Sequence, residues 1–105
     1  MVVNVLVVCT FGLGSSVMYR SALAEFLEKK GVDAHVEMAD LPTVKARVAD
    51  VIVTLPQFEK TIKDSFPSVA RAGRVIIHQS FNFRDIDFFE KRILPVVKEV
   101  EAEKG

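Results

Sequence analysis

The chain has 105 residues, half of them apolar and 27% charged, with one cysteine and fourteen basic side chains against fourteen acidic. That length suffices for one domain with its own core, and a formal charge of zero lacks the basic footprint by which proteins grip nucleic acid. One cysteine excludes an internal disulfide and fits a reducing compartment. The strand-like start carries no secretory signal and no apolar run reaches the length of a membrane span, so the expected setting is the cytoplasm.

Val2–Val8 is almost continuous valine and leucine, broken only by Asn4. Such a run suits a strand covered on both faces, as in a parallel sheet packed by helices. Gly12 and Gly14 end it, and Ser15 or Ser16 can cap the helix that follows. From Val17 to Lys30 the spacing of Met18, Ala22, Leu23, Phe26 and Leu27 predicts an amphipathic helix, which Gly31 stops. Asp33–Met38 alternates apolar and polar residues, the pattern of a strand with one wetter face at a sheet edge.

Asp40-Leu-Pro42 turns the chain and Thr43–Ala49 is read as a short helix. Asp50–Thr54 is a third strand, Gln57–Asp64 a helix that Pro67 interrupts, and Arg74–His78 a fourth strand after Gly73. Asp85 or Asn82 can cap a last helix with Ile86, Phe89, Ile93, Val97 and Val100 along one stripe, and Pro95 should kink it or divide it into two short helices. The charged end Lys98–Gly105 reads as a short exposed tail.

This β-α-β-α-β-α-β-α order predicts one α/β domain over residues 1–105: a four-stranded parallel sheet, flavodoxin- or Rossmann-like, with helices on both faces. With the second strand at an edge, the strand order is 2-1-3-4. Ligands then sit at the carboxyl ends of strands 1 and 3, where Cys9 and Thr54 lie.

Three phosphate-binding templates can be tried on Cys9–Val17. The dinucleotide fingerprint G-x-G-x-x-G fails because Val17 holds the third glycine position, and the nucleotide-triphosphatase loop fails because no Lys-Ser/Thr pair follows the glycines. A cysteine-phosphatase loop needs an arginine six residues after the cysteine, where Ser15 stands. What remains is Cys9 facing the amides of Phe11 to Ser16 and the hydroxyls of Thr10, Ser15 and Ser16. A helix start favours an anion, and a thiolate over a thiol, so such a thiol could accept a phosphoryl group and divide one transfer into two steps.

Val7-Val-Cys-Thr-Phe-Gly-Leu-Gly-Ser-Ser16 resembles the active loop of enzyme IIB subunits of the bacterial sugar phosphotransferase system. It is similar to the lactose/cellobiose-like superfamily, in particular its ascorbate, galactitol and mannitol branches. The resemblance extends more loosely through Val32–Asp40 and Ala49–Thr54. It implies that Cys9 takes a phosphoryl group from a phosphohistidine of enzyme IIA and passes it to a sugar or sugar-like substrate bound by membrane enzyme IIC. It further implies that Gly12, Gly14, Ser15 and Ser16 cradle the phosphate in a binding loop that also holds Thr10, Phe11 and Leu13, with no cofactor or metal. Thr10 stands where the family usually has glycine, and Phe11 where it has a small or polar residue. Phe11 either anchors a partner or packs over the loop.

Two rival readings are a low-molecular-weight cysteine phosphatase or arsenate-reductase-like enzyme, and a non-catalytic anion-binding module. Among other candidates, His35 reads as a solvated surface residue, His78 as a surface or loop hydrogen-bonding residue in preference to a relay, and Arg20 as solvated. Thr54 can face a phosphate or satisfy local backbone, and Asp40 belongs to a turn. Phe81, Phe83, Phe88 and Phe89 read as core and loop packing.

Overall fold

The structure, a computed structural model, describes residues 2–9, 14–79, 82 and 84–104, with residues 14–16 described by backbone alone. Strand β1 (Val3–Cys9) is followed by helix α1 (Gly14–Lys29), β2 (Ala34–Asp40) and a 3₁₀ helix (Leu41–Ala46). Then come β3 (Val51–Thr54), a 3₁₀ turn (Pro56–Phe58), α2 (Glu59–Ser65), α3 (Pro67–Arg71) and β4 (Val75–Ile77). The chain closes with α4 (Ile86–Phe88), a π-helical turn (Phe89–Ile93) and α5 (Leu94–Lys104). Among the described residues the strands form one parallel sheet in the order β2-β1-β3-β4, as the element order predicts.

Alternation along β1 sorts its side chains between two cores. Val3, Val5, Val7 and Cys9 join Tyr19, Leu23, Phe26 and Leu27 of α1 and Val97 and Val100 of α5. Leu6 and Val8 point the other way, onto Val44 and onto Ile62 of α2. A strand buried on both faces has no place for polar side chains, which is why β1 is so uniformly aliphatic.

Gly31 ends α1 at φ +75°, with its N–H on the Glu28 carbonyl and the Val32 N–H on that of Leu27. This is a Schellman cap, in which a left-handed residue lets the last carbonyls find donors. Gly73 ends α3 the same way at φ +73°.

Four local expectations need correction. Helix α1 starts at Gly14, so Ser15 and Ser16 lie within its first turn rather than capping ahead of it. The segment after Pro42 is 3₁₀ over Leu41–Ala46, anchored by the buried Val44, and not a helix to Ala49. Ile86 is exposed rather than part of the last stripe. The discontinuity at Pro95 takes the form of the π turn just before it, where the Leu94 N–H reaches back to the Phe89 carbonyl; Pro95 lacks an N–H and its ring crowds the preceding turn.

Residues 98–104 are not a tail. They complete α5 and clasp the amino-terminal edge of the sheet. Lys104 Nζ donates to the Val2 carbonyl (3.0 Å) and to Asp50 Oδ2 (2.6 Å), which also accepts the Asn4 N–H at 2.9 Å. Arg74 reaches Glu99 (3.1 Å) and Glu103 (2.5 Å) on the same helix.

Partial burial pushes the Asp50 carboxyl upward, but Lys104 and the Asn4 N–H outweigh it and hold the group below the usual carboxylate range. As pH falls the unfolded chain therefore takes up this proton first, and the stabilisation, present above the ordinary carboxylate range, fades through the lower folded value. Asp50→Asn is expected to lower stability at pH 7 by about 1 kcal/mol. The gap to wild type in urea denaturation should shrink as the pH is taken down through the carboxylate range.

Candidate functional site

The site is built where β1 runs out. Cys9 is the last residue of β1, paired with Asp40 of β2, and is 6% exposed. Beside it, Val8 pairs with Thr54 at the end of β3. Here the chain leaves β1 for α1 on one side while β3 lies on the other, the reversal of strand order that opens a crevice at carboxyl ends. Helix α1 begins five residues after Cys9 and runs for sixteen, so the unpaired N–H groups and positive dipole end of its first turn belong to this edge. Gly14, Ser15 and Ser16 occupy that turn; Thr10, Phe11, Gly12 and Leu13 lie outside the described residues.

A cavity of about 180 Å³ opens next to Cys9, lined also by Met38, Ala39, Asp40 and Arg47. Its rim carries both charges: Arg47 pairs with Glu37 at 3.6 Å, and the Thr43 hydroxyl donates to the Asp40 carboxylate. Asp40 thus has the turn role expected of it. Thr54 is fully buried and donates its hydroxyl to the Val8 carbonyl at 3.1 Å, so it satisfies backbone of the neighbouring strand β1, 46 residues away, rather than backbone local to itself.

His78 departs most from expectation. It follows β4, donates its backbone N–H to the Thr54 carbonyl, and is only 3% exposed. It does form hydrogen bonds, but in the interior and not at the surface. Its Nδ1 lies 2.7 Å from the Tyr19 hydroxyl and its Nε2 lies 3.2 Å from Asp85 Oδ2. A carboxylate can only accept, so Nε2 carries the hydrogen, and in a neutral ring Nδ1 then accepts from the phenol. Asp85 also caps α4, its Oδ1 accepting the Phe88 N–H at 3.2 Å. The Phe88 ring stacks on the imidazole with centroids 3.8 Å apart and planes within 10°.

Tyr19 is the residue that the pattern on α1 hides. The buried stripe runs Tyr19, Leu23, Phe26, Leu27, while Met18, predicted for it, is 50% exposed. Tyr19, Leu23 and Leu27 fit the same helical period; the signal was that a phenol on a core stripe requires a polar partner. Burial, with the Asp85 charge adding to it, raises the phenol well above its ordinary value, so Tyr19 remains a donor.

The other candidates fall on the rim or in the core. His35 is exposed and meets Glu37 at 2.9 Å, as a surface histidine should. Arg20 is half-buried, not fully solvated, and reaches the Val36 carbonyl at 3.3 Å. Phe89 is fully buried edge-on to Tyr19 (5.4 Å), whereas Phe81 and Phe83 lie outside the described residues. A larger groove of about 490 Å³ lies further along α1, between Phe26, Lys30 and Ile86. Among the described residues no group of three or more His, Cys, Asp or Glu could hold a metal ion.

A family model described as the lactose/cellobiose-specific IIB subunit of the PTS system matches residues 4–87. The chain belongs to the PTS IIB family. Membership makes it a component of the phosphotransferase system with transferase activity, working with other components of that system. No curated protein matches the chain.

Solved structures agree on the fold. The lactose-specific IIB component domain of the phosphoenolpyruvate:carbohydrate phosphotransferase system from Streptococcus pneumoniae has 18% identity and a TM-score of 0.64, covering 95% of each chain. The cellobiose-specific IIB component from Borrelia burgdorferi has 20% identity and a TM-score of 0.56, covering 100% of this chain and 96% of its own. A YwlE mutant from Bacillus subtilis has 13% identity and a TM-score of 0.55, covering 96% and 97%. Among the described residues no helix of this IIB chain is long and apolar enough to cross a membrane.

Burial lowers the His78 pKa below its ordinary value, with Asp85 pulling weakly the other way. The unfolded chain therefore protonates this ring near pH 6.5 while the fold resists until lower pH. Stability should be fully present above that value and decline as the pH falls below it. In His78→Phe this part of the decline should vanish, which thermal unfolding from pH 7.5 to 5 will show.

Proposed function

We propose that this IIB protein is a phosphocarrier whose nucleophile is Cys9. In the first step the Cys9 Sγ thiolate attacks the phosphorus of a phosphohistidine on enzyme IIA. The S–P bond forms as the P–N bond breaks, and the histidine nitrogen keeps the electron pair. In the second step a hydroxyl of the sugar or sugar-like substrate, held by membrane enzyme IIC, attacks the same phosphorus. The O–P bond forms, the S–P bond breaks to regenerate the thiolate, and the hydroxyl proton leaves to solvent or a base.

The observation that carries this reading is positional. The chain's one cysteine ends the central strand at the switch point of a IIB-family sheet, with the start of a sixteen-residue helix five residues downstream. Backbone amides from Phe11 to Ser16, together with the helix dipole, would solvate the phosphoryl oxygens without a metal or cofactor. The cytoplasm, at the inner face of the membrane, is the corresponding setting.

The test is phosphorylation by the IIA protein of the same system, itself charged by the general phosphocarrier, followed by intact and peptide mass spectrometry. One phosphoryl group on Cys9, absent in Cys9→Ser, is the expected result. An adduct on another residue, or turnover of a phosphate ester without any carrier, overturns it.

A further inference from the structure

Tyr19, His78 and Asp85 form a chain of polar groups that the chemistry at Cys9 leaves unused. Its two inner members are 0% and 3% exposed. Burying two polar side chains is expensive unless each is satisfied, and apolar residues of similar size would fill the space at less cost. The network therefore calls for an explanation beyond cohesion.

Its position supplies one. Tyr19 lies in the second turn of α1, five residues after the helix begins, and belongs to the same packed core as Cys9. His78 is level with the carboxyl end of the sheet, its backbone bonded to Thr54, which is in turn bonded to Val8. By strand alternation from Ile76, the imidazole lies on the same sheet face as Cys9 and α1. The ring cannot easily turn: Tyr19 holds one nitrogen, Asp85 the other, and Phe88 covers one plane. Asp85 is itself fixed by capping α4. The 2.7 Å bond from Tyr19 thus ties the start of α1 to β4 and α4 across 59 residues.

We propose that His78 is a positioning residue: through Tyr19 it fixes the first turns of α1 and, with them, the amides that meet a phosphoryl group on Cys9. Catalytic amides must stand within about 3 Å of the charge they stabilise, and a misplacement of about 1 Å can cost a factor of about 100. A helix is stiff along its axis, so a clamp in its second turn sets the first. This inference rests on the phosphocarrier reading of Cys9.

The test uses Tyr19→Phe, which deletes only the hydroxyl, beside His78→Phe and the double variant. Two measurements are made: amide hydrogen exchange without any partner, and single-turnover phosphorylation of Cys9 across concentrations of phosphorylated IIA. In Tyr19→Phe the amides of residues 18–22, which bond back onto the first turns of α1, should exchange about tenfold faster while those of β3 and α5 keep their protection. The limiting transfer rate should fall about tenfold at unchanged half-saturating IIA concentration, and the double variant should be no worse than the poorer single.

Exchange and transfer rate within twofold of wild type in Tyr19→Phe overturn the inference, as do fully additive effects in the double variant. If His78→Phe does not fold, Tyr19→Phe decides alone. If wild type takes no phosphoryl group on Cys9, the phosphocarrier reading fails. The exchange pattern then still shows whether the clamp exists.

Discussion

β1 is paired on both edges, to β2 along Val3–Cys9 and to β3 along Val5–Val8, and every residue from Val3 to Cys9 except Asn4 is buried. Everything else is placed relative to this strand. A strand in that position has no free edge and no wet face, so its register cannot slip without moving every valine to the wrong core. The residue at its carboxyl end is correspondingly well placed. Cys9 stands at the mouth of the crevice because seven residues of ladder hold it there.

The two ends of the sheet are secured by different physics. At the amino-terminal edge, Lys104 and Arg74 use charge-assisted bonds near the surface to tie α5 to β1 and β4. At the carboxyl edge the tie is buried at its inner end and charged only at its outer one: a phenol, an imidazole and one partly exposed carboxylate in series. A buried polar chain is directional where hydrophobic contact is not, because each bond requires a particular atom at a particular angle. Directionality matters where the proposed anion site must be held in place, and little where a helix end merely needs to stay docked.

Much of this was legible in residues alone. The aliphatic run before Cys9 announces a central strand, Gly31 announces a helix stop at positive φ, and the alternation in Asp33–Met38 announces an edge; the order 2-1-3-4 follows from these. The cysteine with its two glycines and two serines marks the family, and with it the thiol proposed as nucleophile. Helix ends near prolines were less legible: Pro95 signals a break, but whether the chain kinks or widens into a π turn depends on what Phe89 and Ile93 must bury. The charged end at 98–104 read as a tail because nothing in Lys104 reveals that Asp50 and the Val2 carbonyl await it.

Local pattern by itself determined the element order, the sheet, the place of Cys9 and the start of a helix beyond it, because period, glycine and charge act over a few residues. Tertiary structure alone decided that Tyr19, and not Met18, turns inward, and that His78 leaves the surface to meet it. Both side chains are amphipathic, content in water or in a core, and their choice depends on a partner. That partner for Tyr19 is 59 residues away, within reach only once β4 has taken its place beside β3.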